Sequence, residues 1–124
     1  MKFLLDTNVI IVALEGRSEV LRARMAECEE GDLATSAIVH AEILLGFEAG
    51  KPPLRDILAV FSQEVPVLPF DMAASEAYAR IPFRRGSFDR LIAAHALALD
   101  LILVTDNTSD YDDVPGLRVE NWVR

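Results

Sequence analysis

Four acidic positions in this sequence sit where a carboxylate is costly. Asp6 follows the apolar run Phe3-Leu4-Leu5. Glu42 has Ile38, Val39, Leu45 and Gly46 three or four positions away, so it projects from an apolar helix face. Asp89 shares its helix face with Ile92, Ala93 and Ala96. The fourth position lies within Asp106-Asn107 to Asp110, just after the apolar run Leu101-Ile102-Leu103-Val104. A carboxylate buried without a partner costs several kcal/mol or takes up a proton. Asp89 has an ordinary explanation as well, because a helix dipole favours an acid in the first turn by about 0.3 to 1 kcal/mol. If the four converge, they repel one another unless a cation joins them. The donors are oxygen alone, with no Cys or His cluster at zinc spacing, which points to Mg²⁺, with Mn²⁺ as an alternative. Such an ion keeps several waters, one of which can serve as nucleophile while the metal stabilises charge on a phosphate oxygen. That chemistry suits phosphodiester hydrolysis.

The elements that must position these acids follow from the apolar pattern. Phe3 to Leu5 reads as a short buried strand and Asn8 to Leu14 as a helix, so Asp6 stands on a strand-to-helix turn. Ser18 caps a second helix carrying Val20, Leu21, Ala23, Met25 and Cys28, with Gly31 as its stop. Leu33-Ala34-Thr35 is a strand, Ser36 a cap, and Ala37 to Phe47 a helix closing near Gly50. A helix after Pro52-Pro53 carries Leu54, Ile57, Leu58 and Phe61, and Val65-Pro66-Val67-Leu68 reads as an edge strand. Asp71 or Ser75 starts a helix ending near Pro82, and Ser87 caps one from Phe88 to Leu99. Leu101 to Val104 is the clearest buried strand, and a last one forms around Val119 and Trp122. Alternating strands and helices give an α/β fold with a mainly parallel sheet covered on both faces, in which sites form at the carboxyl ends of strands. Asp6 and the Asp106 to Asp110 segment both fall at that edge.

The chain has 124 residues, 52% hydrophobic and 26% charged, with a formal net charge of −8. This length and composition predict one folded domain over residues 1–124 and exclude disorder. No apolar run reaches the roughly 18 to 20 residues of a membrane span, and one cysteine, Cys28, matches a reducing compartment; the expected location is the cytoplasm. An acidic chain lacks the broad basic surface of most nucleic-acid binders, but a metal-bridged phosphate substrate remains compatible with it. Arg84, Arg85 and Arg90 form the concentrated basic patch and are the candidates for contacts with substrate phosphates, against a solvated loop paired with nearby acids.

Four segments taken in order carry a family resemblance: Leu4-Leu5-Asp6-Thr7-Asn8, Ala41-Glu42-Ile43-Leu44-Leu45-Gly46, Asp89-Arg90-Leu91-Ile92-Ala93-Ala94-His95-Ala96, and Leu103-Val104-Thr105-Asp106-Asn107 through Asp110-Tyr111. They resemble the motifs of PIN-domain ribonucleases, in particular the VapC-type toxins of toxin–antitoxin pairs. The resemblance implies a PIN-like α/β/α sandwich and a Mg²⁺- or Mn²⁺-dependent endoribonuclease. It also implies a VapB-type antitoxin partner, a homodimer, no membrane, and DNA contact only through the antitoxin. Asp6, Glu42 and Asp89 match the principal acidic positions, Asp110 or Asn107 the fourth, and Asp106 ranks below Asp110. Thr7, Asn8 and Thr105 support the turn and its hydrogen bonds. The connection from Tyr78 to Asp89 is shorter than is common in the family, which alters the groove beside the acids.

Other functions remain open at this level. A stand-alone PIN nuclease in RNA processing and a non-catalytic PIN-like module share the same fold. A Mg²⁺-dependent phosphatase or receiver domain calls for paired aspartates at the first strand, where Asp6-Thr7-Asn8 offers one. His95 is expected to pack or support from behind, Tyr111 and Trp122 to pack the C-terminal edge or, at the mouth of the site, to stack a base, and Cys28 to be a small core residue.

Overall fold

In a computed structural model describing residues 1–47, 52–84 and 87–124, helix pairs connect each of the first strands to the next. The order is β1 (Phe3–Leu5), α1 (Thr7–Glu15), α2 (Glu19–Ala26), β2 (Leu33–Ser36), α3 (Ala37–Phe47), α4 (Pro52–Glu64) and β3 (Val67–Leu68). It continues through α5 (Met72–Ala79), α6 (Asp89–Leu99), β4 (Ile102–Val104), a short 3-10 helix (Thr108–Tyr111) and β5 (Val119–Glu120). Among the described residues the sheet is five-stranded, in the order β3-β2-β1-β4-β5, and every pairing is parallel. Parallel neighbours need long crossovers, and helices supply them. Consecutive residues of the central strands, Leu4 with Leu5 and Leu103 with Val104, are all fully buried. Successive strand side chains point to opposite faces, so both faces of the sheet are covered. The result is the expected α/β/α sandwich.

The chain runs outward from β1 through β2 to β3, then returns to the other side of β1 to form β4 and β5. This reversal places a topological switch point between β1 and β4, where open parallel sheets form a crevice at their carboxyl ends. Leu5 is in register with Val104, and the Asp6 backbone N–H continues the ladder by donating to the Val104 carbonyl at 2.9 Å. Asp6 and Thr105 therefore emerge side by side.

Local chemistry sets the element ends. Asp6 caps α1, and Gly16 closes it at φ 64°, a left-handed conformation that glycine adopts without a Cβ penalty. Ser18 and Asp71 cap α2 and α5 by accepting from the Leu21 and Ala74 N–H groups at 3.1 and 3.0 Å. α2 stops at Ala26, short of the expected Gly31, because a tight turn captures the chain: the Asp32 carboxylate accepts the Glu29 N–H and the Glu29 carbonyl accepts the Asp32 N–H. α4 includes the proline pair instead of following it, since proline fits a first helical turn that needs no N–H. α6 starts at Asp89, with the Ser87 hydroxyl accepting its N–H at 3.2 Å. The expected closure at Gly50 lies outside the described residues, as do Lys51, Arg85 and Gly86.

Trp122 packs the C-terminal edge as expected, edge-on to Phe3 with the Arg24 guanidinium over its ring. Cys28 is half-buried against the core. No helix among the described residues is long and apolar enough to cross a membrane.

Candidate functional site

A cavity of about 300 Å³ opens at the carboxyl ends of β1 and β4. Asp6, Glu42, Asp89 and Asp110 all line it, together with Thr7, Asn8, Thr105, Asp106, Asn107 and Tyr111. Four distant segments thus bring every expected acid to one place, and among the described residues the lining contains no lysine, arginine or histidine.

Asp6 is the most enclosed of the acids, at 7% exposure. Its Oδ1 accepts the Thr7 N–H at 2.7 Å, and its Oδ2 accepts the hydroxyls of Thr105 at 2.8 Å and Tyr111 at 3.3 Å. Burial nevertheless pushes its carboxyl up to about 6 from the ordinary 3.8; the Thr105, Thr7 and Tyr111 bonds oppose the rise, and the Asp89 charge adds to it. Glu42 comes in from α3 and accepts the Thr7 hydroxyl at 2.9 Å. Burial raises its carboxyl too, the Thr7 bond lowers it, and Asp89 raises it further. Asp89, in the first turn of α6, is raised first by burial and then by Asp110, against lowering by Tyr111 and Arg90. Thr7 thus links two acids, Asp6 through its N–H and Glu42 through its hydroxyl.

The segment after β4 is ordered by its own side chains. Thr105 Oγ1 accepts the Asn107 N–H at 3.2 Å, and the Asn107 amide donates to Asp110 Oδ2 at 2.6 Å. Asn8 donates to Asp106 Oδ2, so Asp106 is engaged across the rim while Asp110 is held from within its own turn. The 3-10 helix Thr108–Tyr111, read from sequence only as an acidic loop, carries Asp110 and Tyr111 together.

Arg90 departs from its expected role. Its side chain is 2% exposed and its Nη2 donates to Asp113 Oδ1 at 2.7 Å and to the Asp110 carbonyl at 3.4 Å. It therefore ties α6 to the segment after the 3-10 helix and is not part of a surface patch. Arg84 is exposed and pairs with the other Asp113 oxygen at 3.4 Å, while Arg85 lies outside the described residues. His95 is buried away from the cavity, its Nδ1 2.8 Å from the Ser36 hydroxyl and its ring edge-on to Phe70.

Sequence reasoning misses two contacts. Tyr111, expected to pack or to stack a base, instead brings its hydroxyl to Asp6 Oδ2; its place next to Asp110 is the available signal. Nothing local in the sequence marks Asp113 as the partner of Arg90.

The donor set fits a hard divalent cation: carboxylates line one cavity, raise one another's proton affinity, and have no cationic side chain among them in the described residues. Among the described residues no three Asp, Glu, His or Cys side chains form a ready-made metal cage. An open set of few carboxylates suits Mg²⁺, which keeps several waters, better than a closed structural site.

The family model for the PIN domain matches residues 3–117. The tRNA(fMet)-specific endonuclease VapC of Shigella flexneri is 32% identical, with 98% of each chain covered. Among solved structures, VapBC2 from Rickettsia felis bound to a DNA fragment from their promoter matches with a TM-score of 0.88 at 26% identity, covering 98% of this chain and 99% of that one. DNA-bound VapBC from Salmonella typhimurium matches with a TM-score of 0.84 at 30% identity, covering 98% of each. With its fold and its ordered acidic segments, the chain belongs to the PIN domain family and is similar over nearly its whole length to VapC ribonucleases.

Proposed function

We propose that this protein is a Mg²⁺-dependent endoribonuclease, with Mn²⁺ able to replace Mg²⁺, and the toxin of a VapBC-type pair acting in the cytoplasm. The observation that carries the reading is the convergence of Asp6, Glu42, Asp89 and Asp110 on one cavity, with no lysine or arginine among its described lining residues. Asp6 and Asp89 are the principal ligands. Glu42 and Asp110 complete the set or hold water beside it. The bound cation supplies charge stabilisation on the phosphate and lowers the proton affinity of water.

The chain's own groups order that set. Thr7 and Thr105 fix both oxygens of Asp6, and Asn107 fixes Asp110. In this reading Glu42, held by Thr7, helps to orient the attacking water. Of the three expected arginines, Arg84 is the exposed one among the described residues and is a candidate for an RNA phosphate contact.

Relatives solved as VapBC complexes support an antitoxin partner. Leu45 on α3, close in sequence to Glu42, and Val60 on α4 are 71% and 65% exposed, apolar surface of the kind protein partners cover. In this reading the antitoxin covers the acidic cavity, a second copy of the chain forms a homodimer, and promoter DNA is contacted through the antitoxin.

The test is cleavage of structured and unstructured RNAs by the partner-free chain in Mg²⁺, in Mn²⁺ and in chelator, beside an Asp6→Ala protein. Cleavage is expected only with metal and only with Asp6. Cleavage persisting in chelator or in Asp6→Ala would sink the mechanism.

A further inference from the structure

We propose that the aromatic hollow formed by Tyr78, Phe83 and Phe88 holds an unpaired base of the RNA beside the cut, with Arg84 meeting an adjacent phosphate. The proposal rests on the nuclease reading above and adds to it a substrate class: RNA that is single-stranded where it is cleaved.

A hollow of about 280 Å³ lies at the start of α6, lined by Tyr78, Phe83, Arg84, Ser87, Phe88 and Leu91. Phe88 immediately precedes Asp89, and the Ser87 hydroxyl accepts the Asp89 N–H at 3.2 Å. The segment that lines the hollow therefore also delivers a principal acid to the cavity. In character the hollow is the reverse of the cavity: three of its lining residues are aromatic, one carries a guanidinium, and among the described residues no carboxylate lines it. Its rings serve the core little. Phe83 and Phe88 are 77% and 53% exposed, whereas Trp122 and Tyr111 are almost wholly covered. One exposed phenylalanine needs no explanation, but two that line a single concavity with a tyrosine form a patch of the kind a ligand covers.

The side chains define the ligand's chemistry. Every base has a flat π face that stacks on an aromatic ring whatever the sequence. A base inside a duplex has its faces covered by its neighbours, so stacking on protein rings selects a splayed, single-stranded nucleotide. Arg84 spends one nitrogen on Asp113 at 3.4 Å and is half exposed, so it keeps N–H donors for a phosphate. Ser87 Oγ accepts from Asp89 and retains its own hydrogen for a base edge or a sugar. Rings and a guanidinium also suit a protein interface; position favours the nucleotide. Consecutive Cα atoms are about 3.8 Å apart, so an RNA whose phosphate lies at Asp89 brings a neighbouring nucleotide to Phe88.

The experiment uses a short RNA that the partner-free wild-type chain cleaves, prepared intact and in copies that each lack one base near the cut. Wild type is compared with Phe83→Leu and Phe88→Leu, and with Phe83→Tyr and Phe88→Tyr. Leucine keeps an apolar body and removes the ring face; tyrosine keeps the face. On intact RNA the leucine variants are expected to raise KM by about 10-fold, with kcat and the thermal midpoint held, and the tyrosine variants to keep the wild-type KM. Removing one particular base should raise the wild-type KM by a similar factor and add nothing further in Phe88→Leu, the coupling expected of groups in contact. An unchanged KM in both leucine variants, or losses that add fully at every abasic position, overturns the proposal and leaves the nuclease reading standing. So does a wild-type dimer that dissociates in the leucine variants, read by sedimentation, with all RNAs affected alike: the occupant is then a second copy of the chain. A wild-type chain that cleaves no RNA with Mg²⁺ or Mn²⁺ overturns both readings.

Discussion

Asp89 and Arg90 are neighbours on the first turn of α6, and they lead into two regions that treat charge in opposite ways. Arg90 turns inward and finds Asp113, which also receives Arg84; the two guanidiniums, Arg90 first, hold the Asp113 carboxyl below its ordinary range. Asp89 turns into a cavity where burial and Asp110 hold its carboxyl above that range. In the first region positive and negative groups answer each other inside the chain. In the second the described residues supply carboxylates, threonines, asparagines and a tyrosine, with no lysine or arginine among them. The paired region is structural: it fastens the Asp110–Asp113 segment to α6. The unpaired region is where chemistry is available, since a fold has no reason to gather like charges unless a ligand separates them.

If the comparison is right, removing charge from the two regions has opposite consequences. The largest expected effect is on the unpaired side: Asp6→Asn should lower cleavage by on the order of 100-fold or more, given that even outer partners of a metal site are worth ~10- to 100-fold. The same variant should be no less stable than wild type at neutral pH without metal, which denaturant unfolding in chelator would show. Next comes the paired side. Asp113→Ala strands a guanidinium that is 2% exposed, with the Asp110 carbonyl as its remaining partner, so the thermal midpoint should fall by several degrees. A midpoint unchanged in Asp113→Ala would remove the distinction between the regions.

A pH series sharpens the contrast. Asp6 has a folded value of about 6 against an ordinary 3.8, so between those values the folded chain keeps a proton that the unfolded chain has released. Stability contributed by this group therefore falls as pH rises from about 4 to about 6, the reverse of a salt-bridged carboxylate. Glu42 and Asp89, also raised, act in the same direction. Unfolding free energies in chelator should decline across that window more steeply in wild type than in Asp6→Asn; parallel profiles would contradict the assignment. The smallest effect belongs to Arg84, exposed and half-engaged by Asp113. Arg84→Ala should weaken RNA binding modestly and lower the salt dependence by about one counterion, read from binding at two ionic strengths.

The acids of the site were legible in sequence because each leaves a local mark. Asp6 ends a buried run, Glu42 and Asp89 interrupt apolar faces, and Asp110 follows the last core strand. The α/β order was legible for the same reason, since strand and helix periods are local. What escaped depends on pairs far apart in the chain. Tyr111 and Asp6 are separated by 105 positions, and only the switch point between β1 and β4 brings them together. Arg90 looked like a surface cation because its partner is 23 residues on. Ala93 and Ala94, three and four residues further along the helix and both buried, were the hint that its side faces inward. The early end of α2 came from an Asp32 side chain competing for the backbone, a local bond that hydrophobic periodicity does not register.

The central claim is that the gathered carboxylates await a divalent cation, and the most direct measurement is the thermal midpoint of the partner-free protein with and without Mn²⁺, near neutral pH and below about pH 5, beside Asp6→Asn. A ligand that binds the folded state raises the midpoint, and protonation of the raised carboxyls competes with a cation for the same oxygens. A clear rise is expected for wild type near neutral pH, a much smaller one in acid, and almost none for Asp6→Asn at either. A wild-type midpoint unmoved by saturating Mn²⁺ or Mg²⁺, or an equal rise in Asp6→Asn, would contradict it.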